Sequence, residues 1–223
     1  MSEVPWRGWL SVAAGILPVM AAVCVFCASS AGIDPRYLEL ATQLGQALGE
    51  RGHGLVSGGG RVSMMGAVAR AARKAGAWTV GVIPQALVDL EVADDEADEL
   101  LVVSDMRARK GLMDERSDAF LVLPGGIGTL EELMEVWTSR SLGMHDKPVV
   151  VLDPFDDFAG LRDLVGTLGE RGFVRPTAAA HLQWTSGVAE ALDLVERGVT
   201  GVTDATDRAV QRGAPAVRDT MAG

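Results

Sequence analysis

The chain has 223 residues, 48% of them hydrophobic and 22% charged, which fits one globular domain of ordinary size with enough apolar material for a core. A formal net charge of −10 disfavours nucleic acid as a partner, although a local basic pocket still admits a small phosphorylated ligand. Glycine is frequent and aromatic residues are scarce, so sheet and helix joined by tight loops are expected rather than a β-sandwich.

The N-terminal stretch from Gly8 to Ala28 is uncharged and follows Arg7, a length that could cross a membrane or act as a signal. Pro18 divides it, and Ala21 to Cys27 reads as a first strand, which cleavage after Ala28 would remove. Met20 directly precedes that strand. Residues 1–19 are therefore expected to be a non-native or disordered extension, and the protein to be cytoplasmic with no membrane partner. Cys24 and Cys27 form a C-x-x-C within the strand. Residues three apart on a strand point to opposite faces, so neither a bridge nor a redox role is expected.

Helix is expected over 34–51, with Leu40, Leu44, Ala47 and Leu48 on one face and Gly52 as its stop. A short strand, 54–56, runs into Ser57-Gly58-Gly59-Gly60. Helix follows over 64–75 and strand over 78–83, closed by Pro84. The acidic run 94–99 reads as a solvated loop. Strand 100–103 precedes a helix over 104–116 with Ser104 as its N-cap. Strand 119–123, helix 129–142, strand 149–152, helix 156–170, strand 181–184 and helix 186–197 complete the pattern, and the stretch from Thr200 to Gly223 reads as a disordered tail. Strands alternating with helices predict a single α/β domain over 20–199. The expected fold is Rossmann-like and doubly wound, a mainly parallel sheet with helices on both faces.

Such sheets bind ligands beyond the carboxyl ends of their strands. Three post-strand loops stand out there: Ala28-Ser29-Ser30-Ala31-Gly32, Ser57-Gly58-Gly59-Gly60 and Pro124-Gly125-Gly126-Ile127-Gly128-Thr129. Glycine lets backbone approach a phosphate, and the helix that follows offers free N–H groups. Any one such loop could be a plain turn, but three at one sheet edge point to a nucleotide. Neither the dinucleotide nor the nucleoside-triphosphate fingerprint is present.

The third loop extends to P-G-G-x-G-T-x-x-E, ending at Glu132, and upstream lies Met106-Arg107-Ala108-Arg109-Lys110, an M-x-x-R-K. Together these motifs resemble the Lonely Guy family of cytokinin-activating phosphoribohydrolases, often mislabelled lysine decarboxylases, over roughly Val23 to Leu194. Val25-Phe26-Cys27-Ala28-Ser29-Ser30 resembles the family's first loop, with Ala28 where glycine is usual. Gly58-Gly59-Gly60 opens the second motif, which here ends Ser63-Met64-Met65-Gly66. Arg107 stands where many members have histidine, and 142–148 matches the segment before the next strand.

The resemblance implies hydrolysis of N6-substituted adenosine 5′-monophosphates to free base and ribose 5-phosphate, with no cofactor or metal. It implies Arg109 and Glu132 as the catalytic pair, and Lys110 with the backbone of Gly126, Ile127, Gly128 and Thr129 as the hold on phosphate and ribose. Ser29, Gly59, Glu91, Met106, Gly125, Leu130, Glu131 and Thr138 complete the implied substrate contacts. A homodimer or higher homo-oligomer is implied, with sites near the interface. The chemistry is consistent: positive charge develops on the ribose as the bond breaks, a carboxylate can stabilise it and orient water, and an arginine fork can hold both. His53, His145 and His181 are too scattered to suggest a metal.

Plainer readings exist. Thr129-x-x-Glu132 is also a capping box, and Arg109 with Lys110 could be a solvated helix face; the conjunction of motifs outweighs both. A nucleotide carrier or sensor without hydrolysis remains the alternative. Lysine decarboxylation would need a Schiff-base lysine, and Lys74, Lys110 and Lys147 lie in no recognisable cofactor motif.

Overall fold

The computed structural model describes residues 20–90 and 92–211. Seven strands form one sheet: β1 (Ala22–Phe26), β2 (Gly54–Ser57), β3 (Thr79–Pro84), β4 (Glu99–Val103), β5 (Ala119–Val122), β6 (Val149–Leu152) and β7 (Leu182–Thr185). Their spatial order is β4-β3-β2-β1-β5-β6-β7, and every neighbouring pair is parallel. The helices are α1 (Pro35–Glu50), α2 (Ser63–Lys74), α3 (Gln85–Val88), α4 (Met106–Glu115), α5 (Ile127–Ser141), α6 (Ala159–Glu170), α7 (Pro176–Ala179) and α8 (Val188–Gln211). The short α3 and α7 are too brief to leave a periodic signal in sequence.

The sheet divides the core in two because alternate strand residues face opposite sides. Val23, Val25, Leu121 and Val150 pack with Leu44 of α1, Val68 of α2 and Leu192 of α8. Cys24, Phe26, Phe120 and Val151 pack on the other side with Met113 of α4 and Leu133 of α5. Cys24 and Cys27 are free, buried and in different layers. Burial pushes the Cys27 thiol up to about 12 and the Cys24 thiol well above its ordinary value, so neither is a ready nucleophile. Among the described residues, no helix is long and apolar enough to cross a membrane.

Three local expectations are corrected. α4 is capped by Asp105, whose carboxylate accepts from the N–H of Arg107 (2.9 Å) and Ala108 (3.0 Å), while Ser104 only donates to that carboxylate. The acidic run is a loop solvated only in part, with Asp95, Glu96 and Asp98 exposed. Asp94 is buried and takes a two-point contact from Arg73 (2.8 and 3.1 Å), and Asp98 accepts from both the backbone N–H and the hydroxyl of Thr79 (2.8 Å each). Helix α8 continues to Gln211, twelve residues into the expected tail. Gly198 does not stop it: a Cβ there would lie 2.5 Å from Pro148, so the glycine lets α8 pass close to the chain. Residues 1–19 and 212–223, and Glu91, lie outside the described residues.

Candidate active site

After β1 the chain turns to α1 on one face of the sheet, and after β5 to α5 on the other. The two loops therefore part above adjacent strands, the topological switch point where α/β sheets open a crevice. A cleft of about 270 Å³ lies there, lined by Ala28 and Ser30, by Pro124, Gly125 and Gly126, and by Tyr37, Met64 and Asp157 among others.

The glycines of the β5–α5 loop have separate uses. A Cβ on Gly125 would lie 2.1 Å from the Oγ1 of buried Thr129, so this glycine lets the loop fold against its own helix. Gly126 is the extended N-cap of α5 and Gly128 is in the first turn; nothing lies within 4 Å of where their side chains would be. The first N–H groups of α5 therefore face open space with the positive end of the helix dipole behind them, an arrangement suited to an anion. Ile127 is 87% exposed at this rim. No side chain caps α5, and Thr129 lies inside the helix, so the capping-box reading of Thr129 and Glu132 is not realised.

Glu132 instead turns inward to Arg109. The Arg109 Nη1 donates to Glu132 Oε1 at 3.0 Å, and Arg109 Nε donates to the Val82 carbonyl of β3 at 3.1 Å; both side chains are buried. Gly58 lies against the same guanidinium, where a Cβ would come within 1.6 Å of Nη2. Burial pushes the Glu132 carboxyl above its ordinary range, helped by neighbouring Glu131; Arg109 and Lys110 oppose the rise without cancelling it. A buried carboxylate fixed by an arginine, with a raised pKa, can take a proton from water near neutral pH.

The other sequence-derived residues are more dispersed. Lys110 is engaged by Glu131 and by Glu135 (2.5 Å), so it joins α4 to α5 across their seam; contact with a phosphate would require those pairs to open. Its ammonium is held above its ordinary pKa by the same two carboxylates. Met106 and Ser29 are exposed at the carboxyl edge, and Leu130 packs in the α5 layer of the core. Gly59, at φ +70°, packs on β3 near Val82 and Ile83, one residue from the glycine that meets Arg109. Thr138 is exposed further along α5. Sequence reasoning did not single out Gly58, whose signal was the glycine triplet itself. Nor did it single out Tyr37 and Asp157, which meet through a 2.9 Å hydrogen bond across 120 residues of chain and carry no local pattern.

A family model described as "possible lysine decarboxylase" matches residues 65–195. A cytokinin riboside 5′-monophosphate phosphoribohydrolase of Mycobacterium tuberculosis is 53% identical over 170 residues, covering 76% of this chain and 90% of that one. One from Arabidopsis thaliana is 44% identical over 156 residues, covering 70% and 73%. Among solved structures, the molybdenum cofactor carrier protein of Chlamydomonas reinhardtii superposes with a TM-score of 0.64 at 21% identity, over 82% of this chain and 99% of that one, a likeness of fold. The chain belongs to the Lonely Guy family, the phosphoribohydrolases grouped under the description of possible lysine decarboxylases.

Proposed function

We propose that the protein hydrolyses the N-glycosidic bond of adenosine 5′-monophosphates, N6-substituted ones in particular, releasing free base and ribose 5-phosphate. The observation that carries this reading is the buried Arg109–Glu132 pair at the carboxyl edge of the sheet, with the bare N-terminus of α5 a turn and a half away. Relatives named for this activity support it.

In this reading the phosphate sits on the N–H groups from Gly126 to Thr129, with Ser29 and Ser30 across the cleft, and the ribose extends toward Glu132. As the glycosidic bond breaks, its electron pair leaves with the base and positive charge gathers on the ribose. Glu132 stabilises that charge and takes a proton from the attacking water. Arg109 fixes the carboxylate and reaches ligand oxygens. Gly59, Glu91, Met106, Lys110, Gly125, Leu130, Glu131 and Thr138 form the wider substrate surround. A carrier on the same fold would give no reason for a buried carboxylate held by arginine beside the ligand. We also place the enzyme in the cytoplasm as a homodimer or higher homo-oligomer; exposed Ile127 and Met106 at the rim of the site are surfaces a second copy would cover.

The phosphate seat is tested by comparing each nucleoside with its 5′-monophosphate. The monophosphate is expected to be cleaved with a kcat/KM at least about 100-fold higher, since an anion held by several charge-assisted N–H bonds contributes a few kcal/mol. Equal kcat/KM for the two would remove the phosphate from the account.

A further inference from the structure

An opening distinct from the switch-point cleft reaches Glu132 along the seam of α4 and α5. Between α4 and α5 lies a crevice of about 60 Å³, lined by Lys110, Gly111 and Asp114 from α4 and by Glu132, Glu135, Val136 and Ser139 from α5. Phe26, Phe120 and His145 complete its lining. That volume takes about two waters at the roughly 30 Å³ each occupies in the liquid. It does not share Gly125, Gly126, Ser30 or Tyr37 with the switch-point cleft, and Glu132 is the carboxylate of the catalytic pair that lines it.

We propose that the crevice between α4 and α5 is the water port of the active site: it delivers the attacking water to Glu132 and returns the abstracted proton to solvent, while substrate occupies the switch-point cleft. The proposal rests on the hydrolase reading.

The other polar groups around Glu132 are already engaged. On α4, Arg109 is held by Glu132 and Val82, Lys110 by Glu131 and Glu135, and Asp114 by Lys147 at 2.7 Å. His145, in the loop before β6, meets the Val136 carbonyl with Nε2 (3.0 Å) and accepts from the Lys147 N–H with Nδ1 (3.2 Å). Burial lowers its pKa, against the pull of Asp114 and the Val136 carbonyl, and both ring nitrogens are occupied. Cys24 of β1 and Cys27 just after it are protonated and buried. Only one Glu132 oxygen is engaged by Arg109, so the other can meet a water in the crevice, with Ser139 and Glu135 also on its lining.

The Lys110 pairs to Glu131 and Glu135 bridge the two helices beside the crevice, and the rings of Phe26 and Phe120, stacked at 5.8 Å, form an apolar floor. Gly111 lies on the lining at the α4 side with open space where a Cβ would stand, so a longer side chain there can be built without a backbone clash and can reach across the crevice. In the reaction one O–H bond of water breaks and its proton passes to Glu132. The oxygen bonds to the anomeric carbon as the bond from that carbon to the base breaks. The electron pair leaves with the base, which is protonated from solvent, and the Glu132 proton leaves through the crevice.

The test grades the crevice by volume with Gly111→Ala, Gly111→Val and Gly111→Leu, and fills its far side with Ser139→Leu. For each, calorimetric affinity for an N6-substituted adenosine 5′-monophosphate is measured beside the pH profile of kcat for base release. Affinity is expected to stay near the wild-type value. The kcat should fall in order of side-chain volume, at least about 10-fold for leucine, a part of the 10²–10⁴ a positioned base supplies. The acid limb should move to higher pH, because excluding water raises the cost of ionising Glu132. If a leucine variant does not fold, the alanine and valine steps carry the same order. Wild-type kcat and an unmoved acid limb across the folded variants overturn the water port. A wild-type protein that binds nucleotide and releases no base overturns the hydrolase reading instead.

Discussion

Arg109 is fixed by three neighbours from three elements: the Val82 carbonyl of β3, the Glu132 carboxylate of α5 and the bare backbone of Gly58 after β2. A methyl group at Gly58 would push the guanidinium away from Glu132 and Val82. Gly58→Ala is therefore expected to fold, since the obstacle is a side-chain end, and to lose about 100-fold in kcat, the scale of an ångström-level displacement of a catalytic group. Circular dichroism beside initial rates of base release checks this; unchanged turnover would mean that the Arg109 position is not critical. The roles proposed for Arg109 and Glu132 were legible from M-x-x-R-K and P-G-G-x-G-T-x-x-E. Gly58 was legible only as one of three glycines, because what distinguishes it is a contact with a side chain 51 positions later.

At the scale of elements, strand and helix positions follow the hydrophobic periodicity closely, with ends shifted by one to three residues apart from the far end of α8, as helix ends usually are. The exceptions have physical causes. The acidic run looked solvated because six residues of mostly like charge normally repel, yet Arg73 on α2 pairs with its one buried member, Asp94, and Thr79 on β3 donates to Asp98 at the exposed side. This segment also accounts for the posture of the second glycine loop: Asp94 N–H donates to the Gly59 carbonyl at 2.8 Å, and Arg61 N–H to the Val92 carbonyl at 2.9 Å. Asp94→Ala removes the two-point partner of Arg73 and leaves it only the longer contact with exposed Glu96 at 3.3 Å. It should destabilise the fold by about 3 kcal/mol, the cost of breaking a buried pair from one side. Urea unfolding measures this, and a loss under about 0.5 kcal/mol, the scale of an exposed pair, would return Asp94 to the surface. α5 likewise departs from its capping-box pattern because Gly126 starts the helix three residues before Thr129, which frees Glu132 to face Arg109.

Across the whole molecule, the proposed phosphate seat has to work in a chain of net charge −10. The sheet order supplies the means: β1 and β5 are neighbours whose loops diverge, and the α5 N-terminus attracts an anion with backbone groups rather than with side-chain charge. The three glycine loops pointed in advance to the edge where the cleft lies. The strand order was not readable, since long-range pairing leaves no local signal. The central claim is that Glu132 is a catalytic carboxylate for glycosidic hydrolysis, and one comparison tests it most directly. Wild type and Glu132→Gln are incubated with an N6-substituted adenosine 5′-monophosphate while free base and ribose 5-phosphate are both quantified. The glutamine amide can still accept from Arg109, so the variant should remain folded within about 1 kcal/mol of wild type. Wild type should release the two products in equal amounts, and the variant should be slower by roughly 10²–10⁴-fold, the scale of a lost general base. Product release by Glu132→Gln at a near-normal rate, or none from wild type, would contradict the account.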